Sequence, residues 1–429
     1  AICNGYLVSG YDREKSKMTD ELANEGVNIF FDPNYIHDIV KKDFADTIVY
    51  SSAFKNNHPI LHFFITCKFN VLKRSIFLSK IASSYDVIAI AGTHGKTTIS
   101  CMLAHILKNS GLDCNAFIGG VSKNYNTNIL IGNSKFMIIE ADEYDRSFLS
   151  LNPFIGLVSS VDQDHGDTYS TYDEMLYAYT KFMNNCKNII INEVVKNNLP
   201  NDKIINSSIS YSYLNENIKG YGAFIDYNFV KSSIKLNINK NGKCLFDLDI
   251  GLIPKHNIEN LLAAIAIALE LNLNYNQIIK SVKSFQGVYR RFEYHINNPN
   301  LILIEDYAHH PVELNSLINS TIYLYPKKEI TLIFQPHLFS RTKDFLDDFA
   351  SVLSKVDRLI LLDIYAARET PIHNFGIDNL WSRIELADKV ILNKQDVCTY
   401  LYSIDCELIL VAGAGDISNI VPDLKKHFS

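Results

Sequence analysis

The sequence has few of the features that assign a chain to a class at first sight. Its 429 residues carry a net charge of −6, so there is no excess of positive charge of the kind that nucleic-acid binding uses. The eight cysteines are scattered and include no C-x-x-C pair, which argues against both a zinc ribbon and a disulfide framework. We therefore expect a cytoplasmic protein with reduced thiols and no nucleic-acid partner.

Long hydrophobic runs are also missing. The longest candidate, Leu261 to Leu269, stops at Glu270 and falls short of the roughly 18 apolar residues that a membrane span needs. Hydrophobic residues nevertheless make up 47% of the chain, which is ample for sizeable cores. At about 100–200 residues per domain, this length and composition predict three domains and no membrane partner.

One stretch, residues 85–110, combines a strand, a glycine turn and a helix. Tyr85 to Ala91 is a short apolar run rich in β-branched residues, which predicts a buried strand. Ile99 to Ser110 places its apolar residues on one helical face, and Gly111 follows as a stop signal. The turn between them contains the following residues: Gly92, Thr93, His94, Gly95, Lys96, Thr97 and Thr98.

This turn has the residue types that a phosphate-binding loop needs. Glycines let backbone N–H groups approach an anion at the positive end of the helix, a lysine reaches the terminal phosphates, and a threonine hydroxyl can bind Mg²⁺. The loop is shorter than the G-x-x-x-x-G-K-[ST] pattern, because Ile90 stands where the first glycine would fall. We expect a nucleotide triphosphate site with Lys96 and Thr97 at its centre.

Polar residues follow two more predicted strands of the same region. Phe136 to Ile139 is followed by Glu140, and the run from Ile155 to Val161 is followed by Asp162 and then His165. The carboxyl ends of parallel strands meet at one edge of a sheet, so these side chains should converge on the phosphate loop. Carboxylate and imidazole groups there predict a Mg²⁺ site against the phosphates.

A long apolar helix opens at residues 256–260. Asn257 and Asn260 are three residues apart and share one face of its first turn. Helix capping explains one asparagine, whereas two on one face suggest contact with a base or a ribose. The alternating residues before this helix, around Asn241 and Gly242, predict a β-hairpin.

The two ends of the chain each predict a Rossmann-like domain. Residues 1–84 contain two strands and a helix but begin without the strand and glycine turn of a βαβ unit, so we expect an incomplete N-terminus. Residues 290–429 alternate strands and helices, with polar residues at the strand ends. The expected fold is α/β with three domains: 1–84, Rossmann-like and apparently truncated; 85–289, a P-loop ATPase-type parallel sheet; and 290–429, Rossmann-like.

These motifs resemble the Mur ligase family over nearly the whole chain, from Ala1 to about Asp416. His94 in the short phosphate loop resembles the alanine-adding member, since its relatives more often carry asparagine there. The remaining motifs that carry the resemblance are Glu140-Ala141-Asp142-Glu143 with Asp145, Ser147 and Phe148; Asp306-Tyr307-Ala308-His309-His310-Pro311; Phe334-Gln335-Pro336-His337; and Ser340-Arg341-Thr342.

The resemblance implies an ADP-forming ligation. The carboxylate of UDP-N-acetylmuramate would attack ATP to give an acyl phosphate, from which the amine of L-alanine displaces phosphate, with Mg²⁺ as cofactor. It implies that Lys96, Glu140, His165 and Arg291 are catalytic and that Thr97, Glu140 and His165 hold Mg²⁺. ATP would bind Gly92, Thr93, His94, Gly95, Lys96, Thr97, Thr98, Asn257, Asn260, Arg291 and Asp306. The UDP-sugar would bind Ser51, Ser52 and Arg74, and alanine would bind His309, His337 and Arg341. A monomer or weak homodimer is expected.

Several alternatives stay open at this point. A related ligase joins a recycled tripeptide to UDP-N-acetylmuramate and shares much of the first two domains. Folylpolyglutamate synthases share the ATP site but lack the strand pattern of the first domain. A P-loop switch or motor would not need His309 or Arg341, and a non-catalytic scaffold would not need to keep Lys96 and Glu140. The chain also departs from the family pattern at Gly166 and at Ala366-Ala367.

Overall fold

The computed structural model describes residues 2, 5–35, 47–51, 54, 58–162, 168–199, 207–215, 218–229, 232–367 and 369–428. Ser52 and His165, both predicted site residues, lie outside this range. The chain divides into two units, Ala1–Ser84 and Tyr85–Ser429. The predicted domain boundaries at 84 and 289 stay predictions.

Strands alternate with helices along the described residues. The strands, β1 to β20 in chain order, are Ser9–Tyr11, Asn28–Phe30, Ile48–Tyr50, Val71–Lys73, Asp86–Ala91, Asn115–Ser122, Thr127–Leu130, Phe136–Glu140, Ile155–Val158, Asn188–Asn192, Ile209–Ser212, Gly220–Asn228, Ser233–Lys240, Lys243–Gly251, Glu293–Asn297, Ile302–Asp306, Ile330–Phe334, Arg358–Leu361, Lys389–Ile391 and Leu408–Ala412. The α-helices, α1 to α14, are Lys17–Asn24, Pro59–Thr66, Arg74–Ala82, Lys96–Asn109, Tyr172–Asn184, Glu193–Asn198, Lys255–Glu270, Tyr275–Ser284, Pro311–Leu324, Phe339–Asp344, Leu346–Leu353, Ile377–Trp381, Lys394–Leu401 and Val421–Phe428. Three short 3₁₀ segments are Pro33–Tyr35, Tyr144–Ser150 and Asp416–Ile420.

The first unit contains two pairs of parallel strands. Strand β1 pairs with β2, and β3 pairs with β4 so that Tyr50 lies opposite Lys73. Ser51 and Arg74 come directly after these two register partners. Two of the three predicted UDP-sugar residues, Ser51 and Arg74, therefore follow the carboxyl ends of adjacent parallel strands, which is where ligands bind in open α/β sheets.

A ten-stranded sheet forms the first half of the second unit. Its order is β14-β13-β12-β11-β10-β9-β5-β8-β6-β7. The strands from β12 to β6 run parallel, and antiparallel strands flank them on both sides. Central strand β5 is almost fully buried, as its unbroken apolar sequence predicts. Helices α4 and α7 pack against each other beside the sheet.

The predicted hairpin is confirmed. Asn241 and Gly242 connect β13 to β14 with φ values of 51° and 75°. Two successive positive φ angles match the type I′ turn, whose twist suits the paired strands and which Asn-Gly favours.

One predicted strand is shorter than its apolar run. Strand β9 ends at Val158 and not at Val161. The Ser159 N–H still donates to Ala91 O, but Ser160 O then accepts from the Thr93 N–H. The chain leaves the strand because its backbone binds the phosphate loop.

A six-stranded sheet forms the second half of this unit, in the order β15-β16-β20-β17-β18-β19. Strand β15 is antiparallel to β16, and the remaining strands are parallel. The predicted strands at 330–334 and 408–412 are confirmed, and Pro311 is the first residue of α9 as expected. Strand β16 extends to Asp306, so this candidate ribose ligand is the last strand residue.

The α/β fold with a central parallel sheet and a second C-terminal sheet is therefore as predicted. No helix among the residues that the structure describes is long and apolar enough to cross a membrane.

Candidate active site

The phosphate loop approaches helix α7 closely. Gly95 is the N-cap of α4 and has φ +83°, and a Cβ added there would lie 2.4 Å from Asn260 Oδ1. Asn260 Nδ2 in turn donates to Asn257 Oδ1 at 3.2 Å. The two asparagines thus share one face of the first turn of α7, as predicted, and that face lies against the loop.

A pair of serines holds the loop from the neighbouring strand. The His94 N–H donates to Ser160 Oγ at 2.8 Å, and Ser159 Oγ donates to His94 O at 2.6 Å. Thr93 Oγ1 accepts from the Asp162 N–H at 3.0 Å. Sequence analysis missed the serines, although two small polar residues directly after a buried strand were a possible signal. Thr98 is buried in the first turn of α4.

Lys96 lies folded against its own loop and a buried acid. Its Nζ donates to the two Glu143 carboxylate oxygens at 2.7 and 3.0 Å and to Gly92 O at 2.7 Å. Burial opposes the charge on Lys96, but Glu143 more than offsets this, so the pKa of Lys96 lies above its ordinary value. Glu143 belongs to a family motif in the sequence, but no binding or catalytic role was predicted for it.

Thr97 and Glu140 form an oxygen cluster at the edge of the sheet. Thr97 Oγ1 donates to Glu140 Oε1 at 2.8 Å, and the Gly119 N–H donates to Glu140 Oε2 at 2.6 Å. A Cβ on Gly119 would lie 2.8 Å from both carboxylate oxygens, so a side chain there would displace the Glu140 carboxylate from this position. A hydroxyl beside a carboxylate is a donor set that suits Mg²⁺.

Asp306 and Arg291 come together from the other half of this unit. Asp306 accepts from the Phe292 N–H at 2.7 Å and from the Ala308 N–H at 2.8 Å. Burial raises the pKa of Asp306 to about 6, although the Arg291 charge and these amides lower it. The Arg291 guanidinium lies 5.1 Å from the centre of the Tyr307 ring.

Two of the residues predicted to bind the amino acid, His309 and His337, lie beside each other, and the charge of the third, Arg341, acts on both. The His309 and His337 ring centres are 5.8 Å apart, and His337 stacks on Tyr365 at 5.7 Å. Burial lowers the pKa of His337 to about 4, with His309 and the Arg341 charge acting in the same direction. Burial also lowers the pKa of His309. Both rings are therefore neutral near pH 7.

Glu313 connects this pocket to the phosphate loop. Its Oε1 lies 3.5 Å from His94 Nδ1, and its Oε2 lies 3.3 Å from His309 Nδ1. His94 Nε2 lies 3.4 Å from Asp162 Oδ2, so each ring nitrogen of His94 faces a carboxylate. Burial opposes the charge on Glu313, but His309 and His94 hold the pKa of its carboxyl well below the ordinary value.

Sequence analysis gave Glu313 no role either. It occupies the third position of α9 in a capping box with His310, and this pattern was visible in the sequence. A capping box indicates only where a helix begins, so the sequence could not predict that Glu313 also contacts His94.

A further acidic group lies on β15 and β16. Glu293, His295 and Glu305 present atoms close enough together to hold a metal ion. However, Lys123 Nζ lies 3.1 Å from Glu293 and Arg290 Nε lies 3.2 Å from Glu305. Each of the two carboxylates is thus already paired with a cationic side chain of the protein. The three residues therefore form an ion-pair cluster and not a metal site.

Three family models match consecutive parts of the chain. Residues 1–86 match the Mur ligase family catalytic domain, residues 90–268 the Mur ligase middle domain, and residues 290–415 the Mur ligase glutamate ligase domain. The UDP-N-acetylmuramate–L-alanine ligase of Flavobacterium psychrophilum is 38% identical over 440 residues, covering 99% of this chain and 93% of that protein.

Solved structures show the same fold. The UDP-N-acetylmuramate–alanine ligase of Thermotoga maritima aligns with a TM-score of 0.79 at 22% identity, over 100% of this chain and 94% of that one. A murein peptide ligase from Psychrobacter arcticus aligns with a TM-score of 0.69 at 20% identity, over 99% and 94%. With its three matched domains and a relative of this identity over almost its full length, the chain belongs to the Mur ligase family.

Proposed function

We propose that this chain is an ADP-forming ligase that joins L-alanine to the carboxylate of UDP-N-acetylmuramate, a step of peptidoglycan precursor synthesis. One observation carries the proposal. Glu313 lies within 3.5 Å of both His94 in the phosphate loop and His309, which lies beside His337. A site built in this way can activate an acid with ATP and receive an amino acid beside it. The name of the 38% identical relative supports the same assignment.

The first half-reaction takes place at the phosphate loop. The muramoyl carboxylate attacks the γ-phosphorus of ATP, and the bond from that phosphorus to the β,γ-bridging oxygen breaks, so that ADP leaves. Lys96 and Arg291 stabilise the charge of the transferring phosphoryl group. Lys96 must exchange its Glu143 contact for the phosphates to do so. Thr97 and Glu140 would hold Mg²⁺, which neutralises charge on the phosphate oxygens.

The second half-reaction takes place in the histidine pocket. Arg341 pairs with the alanine carboxylate, because a guanidinium offers a planar fork of donors to it. His309 and His337 surround the amine. The amine attacks the acyl carbon, the carbon–oxygen bond to phosphate breaks, and inorganic phosphate leaves.

Other residues bind the nucleoside part of ATP and the UDP-sugar. Asp306 accepts from the ATP ribose, and Asn257 and Asn260 meet its adenine end. Ser51 and Arg74, at the carboxyl ends of β3 and β4, contact the UDP-sugar.

Coupled ADP release tests the function directly. With ATP and Mg²⁺ present, ADP release should require UDP-N-acetylmuramate, and steady turnover should also require L-alanine. Acidic amino acids should be poor substitutes, since the Glu313 carboxylate, 3.3 Å from His309 Nδ1, would repel a second carboxylate in the substrate. Rapid hydrolysis of ATP with neither substrate added would indicate a P-loop switch or motor. A strict requirement for a tripeptide would indicate the recycling ligase.

A further inference from the structure

The hydrogen bonds of His309 fix the position of its proton. Nδ1 lies 3.0 Å from the backbone oxygen of Tyr307 and 3.3 Å from Glu313 Oε2. A carbonyl oxygen and an ionised carboxylate only accept hydrogen bonds, so Nδ1 must carry the proton. In the neutral ring the lone pair then lies on Nε2.

The surroundings of His309 keep that lone pair available. Burial lowers the pKa of His309, the charges of Arg341 and Arg291 act in the same direction, and Glu313 acts against them. The rings of His337 and Tyr307 face it at 5.8 and 5.2 Å. The Nε2 atom is therefore unprotonated near neutral pH.

The second half-reaction needs a proton acceptor. The amino group of an amino acid is largely protonated near neutral pH and cannot attack in that form. Arg341 cannot accept a proton, because its guanidinium stays charged. His337 is a weak base with a pKa of about 4, and its buried Nδ1 has no hydrogen-bond partner among the described residues. Of these two histidines, His309 is the one whose Nδ1 proton has acceptors, the Tyr307 carbonyl at 3.0 Å and Glu313 Oε2 at 3.3 Å.

We propose that Glu313 is a positioning residue that, together with the Tyr307 carbonyl, holds His309 as the Nδ1–H tautomer, so that His309 Nε2 takes the proton from the incoming amine. This assignment rests on the proposed function. The ammonium group of alanine gives one proton to His309 Nε2. The freed lone pair forms the nitrogen–carbon bond, and the carbon–oxygen bond breaks with its electron pair going to phosphate. A second nitrogen proton leaves with that phosphate, and His309 returns its proton to water.

The Glu313 carboxylate also connects His309 to the phosphate loop. Glu313 Oε1 faces His94 while Oε2 faces His309, so one side chain sets the distance between the loop and the base. At 3.5 Å the His94 contact is an ion-pair distance and not a short hydrogen bond.

The test separates the two half-reactions in the full-length chain. Exchange of isotope between the bridging and non-bridging oxygens of labelled ATP, with UDP-N-acetylmuramate alone, reports acyl phosphate formation. Amide formation with L-alanine reports the second step. His309→Gln should keep the exchange rate within about threefold and lower kcat/KM for alanine by about 10²-fold, as loss of a general base does. His427→Gln, which alters an exposed histidine of α14, is the matched control and should match the wild type.

The pH profile tests the role of Glu313. In His309→Gln, kcat/KM for alanine should rise about tenfold per pH unit until the amine is deprotonated, whereas the wild type should reach its plateau earlier. Glu313→Gln should shift toward this profile and lower ligation much more than isotope exchange, which it can disturb only through the 3.5 Å contact to His94, and Glu313→Asp should recover part of the plateau. Parallel loss of exchange and ligation, an unshifted profile in His309→Gln, or wild-type alanine kinetics in Glu313→Gln would each overturn the proposal. Lack of UDP-sugar-dependent ADP release by the wild type would instead remove the ligase assignment itself.

Discussion

Lys96 and Glu143 form an ion pair in which the lysine Nζ lies 2.7 and 3.0 Å from the two carboxylate oxygens. The Glu143 side chain is fully buried and that of Lys96 is 13% exposed. A buried charge that loses its partner is strongly destabilising, whereas the intact pair is close to neutral for stability. The lysine that should stabilise the transferring phosphoryl group therefore also compensates a buried acid.

Lys96→Ala should lower both turnover and stability. We expect turnover to fall by about 10³-fold, because a charge used in the transition state is lost. The free energy of unfolding should fall by about 3 kcal/mol, because the buried Glu143 carboxylate loses the cation that compensates its charge. Steady-state ADP release and urea unfolding measure the two effects.

Lys108 provides a matched control on the same helix. It pairs with Asp113, whose side chain is 45% exposed, so Lys108→Ala should cost less than about 1 kcal/mol and leave turnover unchanged. Adding Glu143→Gln to Lys96→Ala should restore much of the lost stability but none of the turnover. Activity of Lys96→Ala within tenfold of the wild type would contradict its assigned role.

Gly95→Ala should weaken ATP binding. The residue has φ +83°, and the new Cβ would lie 2.4 Å from Asn260 Oδ1, so the backbone would be strained and the Asn260 side chain would have to move. We expect at least a tenfold higher Kd for ATP and a loss of about 1–3 kcal/mol in stability from the strained backbone. Calorimetric titration measures the affinity. Gly251→Ala is the matched control, because its Cβ would meet open space, and equal effects of the two substitutions would count against this explanation.

Arg74→Ala should raise the Kd for UDP-N-acetylmuramate without changing that for ATP. Arg74 begins α3 directly after Lys73, the register partner of Tyr50. Loss of a charge-assisted hydrogen bond to the UDP-sugar should weaken binding about tenfold or more. Lys80→Ala, in the last turn of the same helix, removes a charge far from the strand end and should leave the affinity unchanged. Equal weakening by both variants would indicate a general charge effect.

His256 should make stability depend on pH. Its Nδ1 lies 3.0 Å from Ser316 Oγ, and burial lowers the pKa of the ring from 6.5 to about 4. Between these values the unfolded chain binds a proton that the folded chain does not, so stability falls as the pH falls. The contribution is complete above about pH 6.5, and its loss toward pH 4 is on the order of 3 kcal/mol.

Urea unfolding at a series of pH values measures this slope. His256→Gln should make stability depend less steeply on pH. Some loss of stability at low pH should remain in the variant, because the pKa values of His309 and His337 are also lowered. His94 has a raised pKa and acts in the opposite direction. An identical slope in wild type and variant would show that His256 does not titrate as described.

The sequence by itself determined the elements and their order. Unbroken β-branched runs such as Ile330–Phe334 formed buried strands, because both faces of a parallel sheet are covered. Glycines with positive φ, Asn241-Gly242 and Pro311 set turns and helix starts through local backbone sterics alone. The convergence of Lys96, Thr97 and Glu140 also followed from sequence, since the carboxyl ends of adjacent parallel strands must meet.

The partners of these residues were decided only by the tertiary structure. Lys96 and Glu143 are 47 positions apart, and His94, in the loop after β5, and Glu313, on α9, come from different halves of the same unit. No local pattern encodes such pairs, because they depend on how helices α4 and α9 pack and on which charges burial leaves facing each other. The sequence motifs predicted that Lys96 binds phosphate, but they predicted no role for Glu143. For Glu313 they indicated only a helix-capping position. The same burial that raises the pKa of Asp306 and lowers that of His309 is a property of the packed chain, and it decides which of these groups can accept a proton.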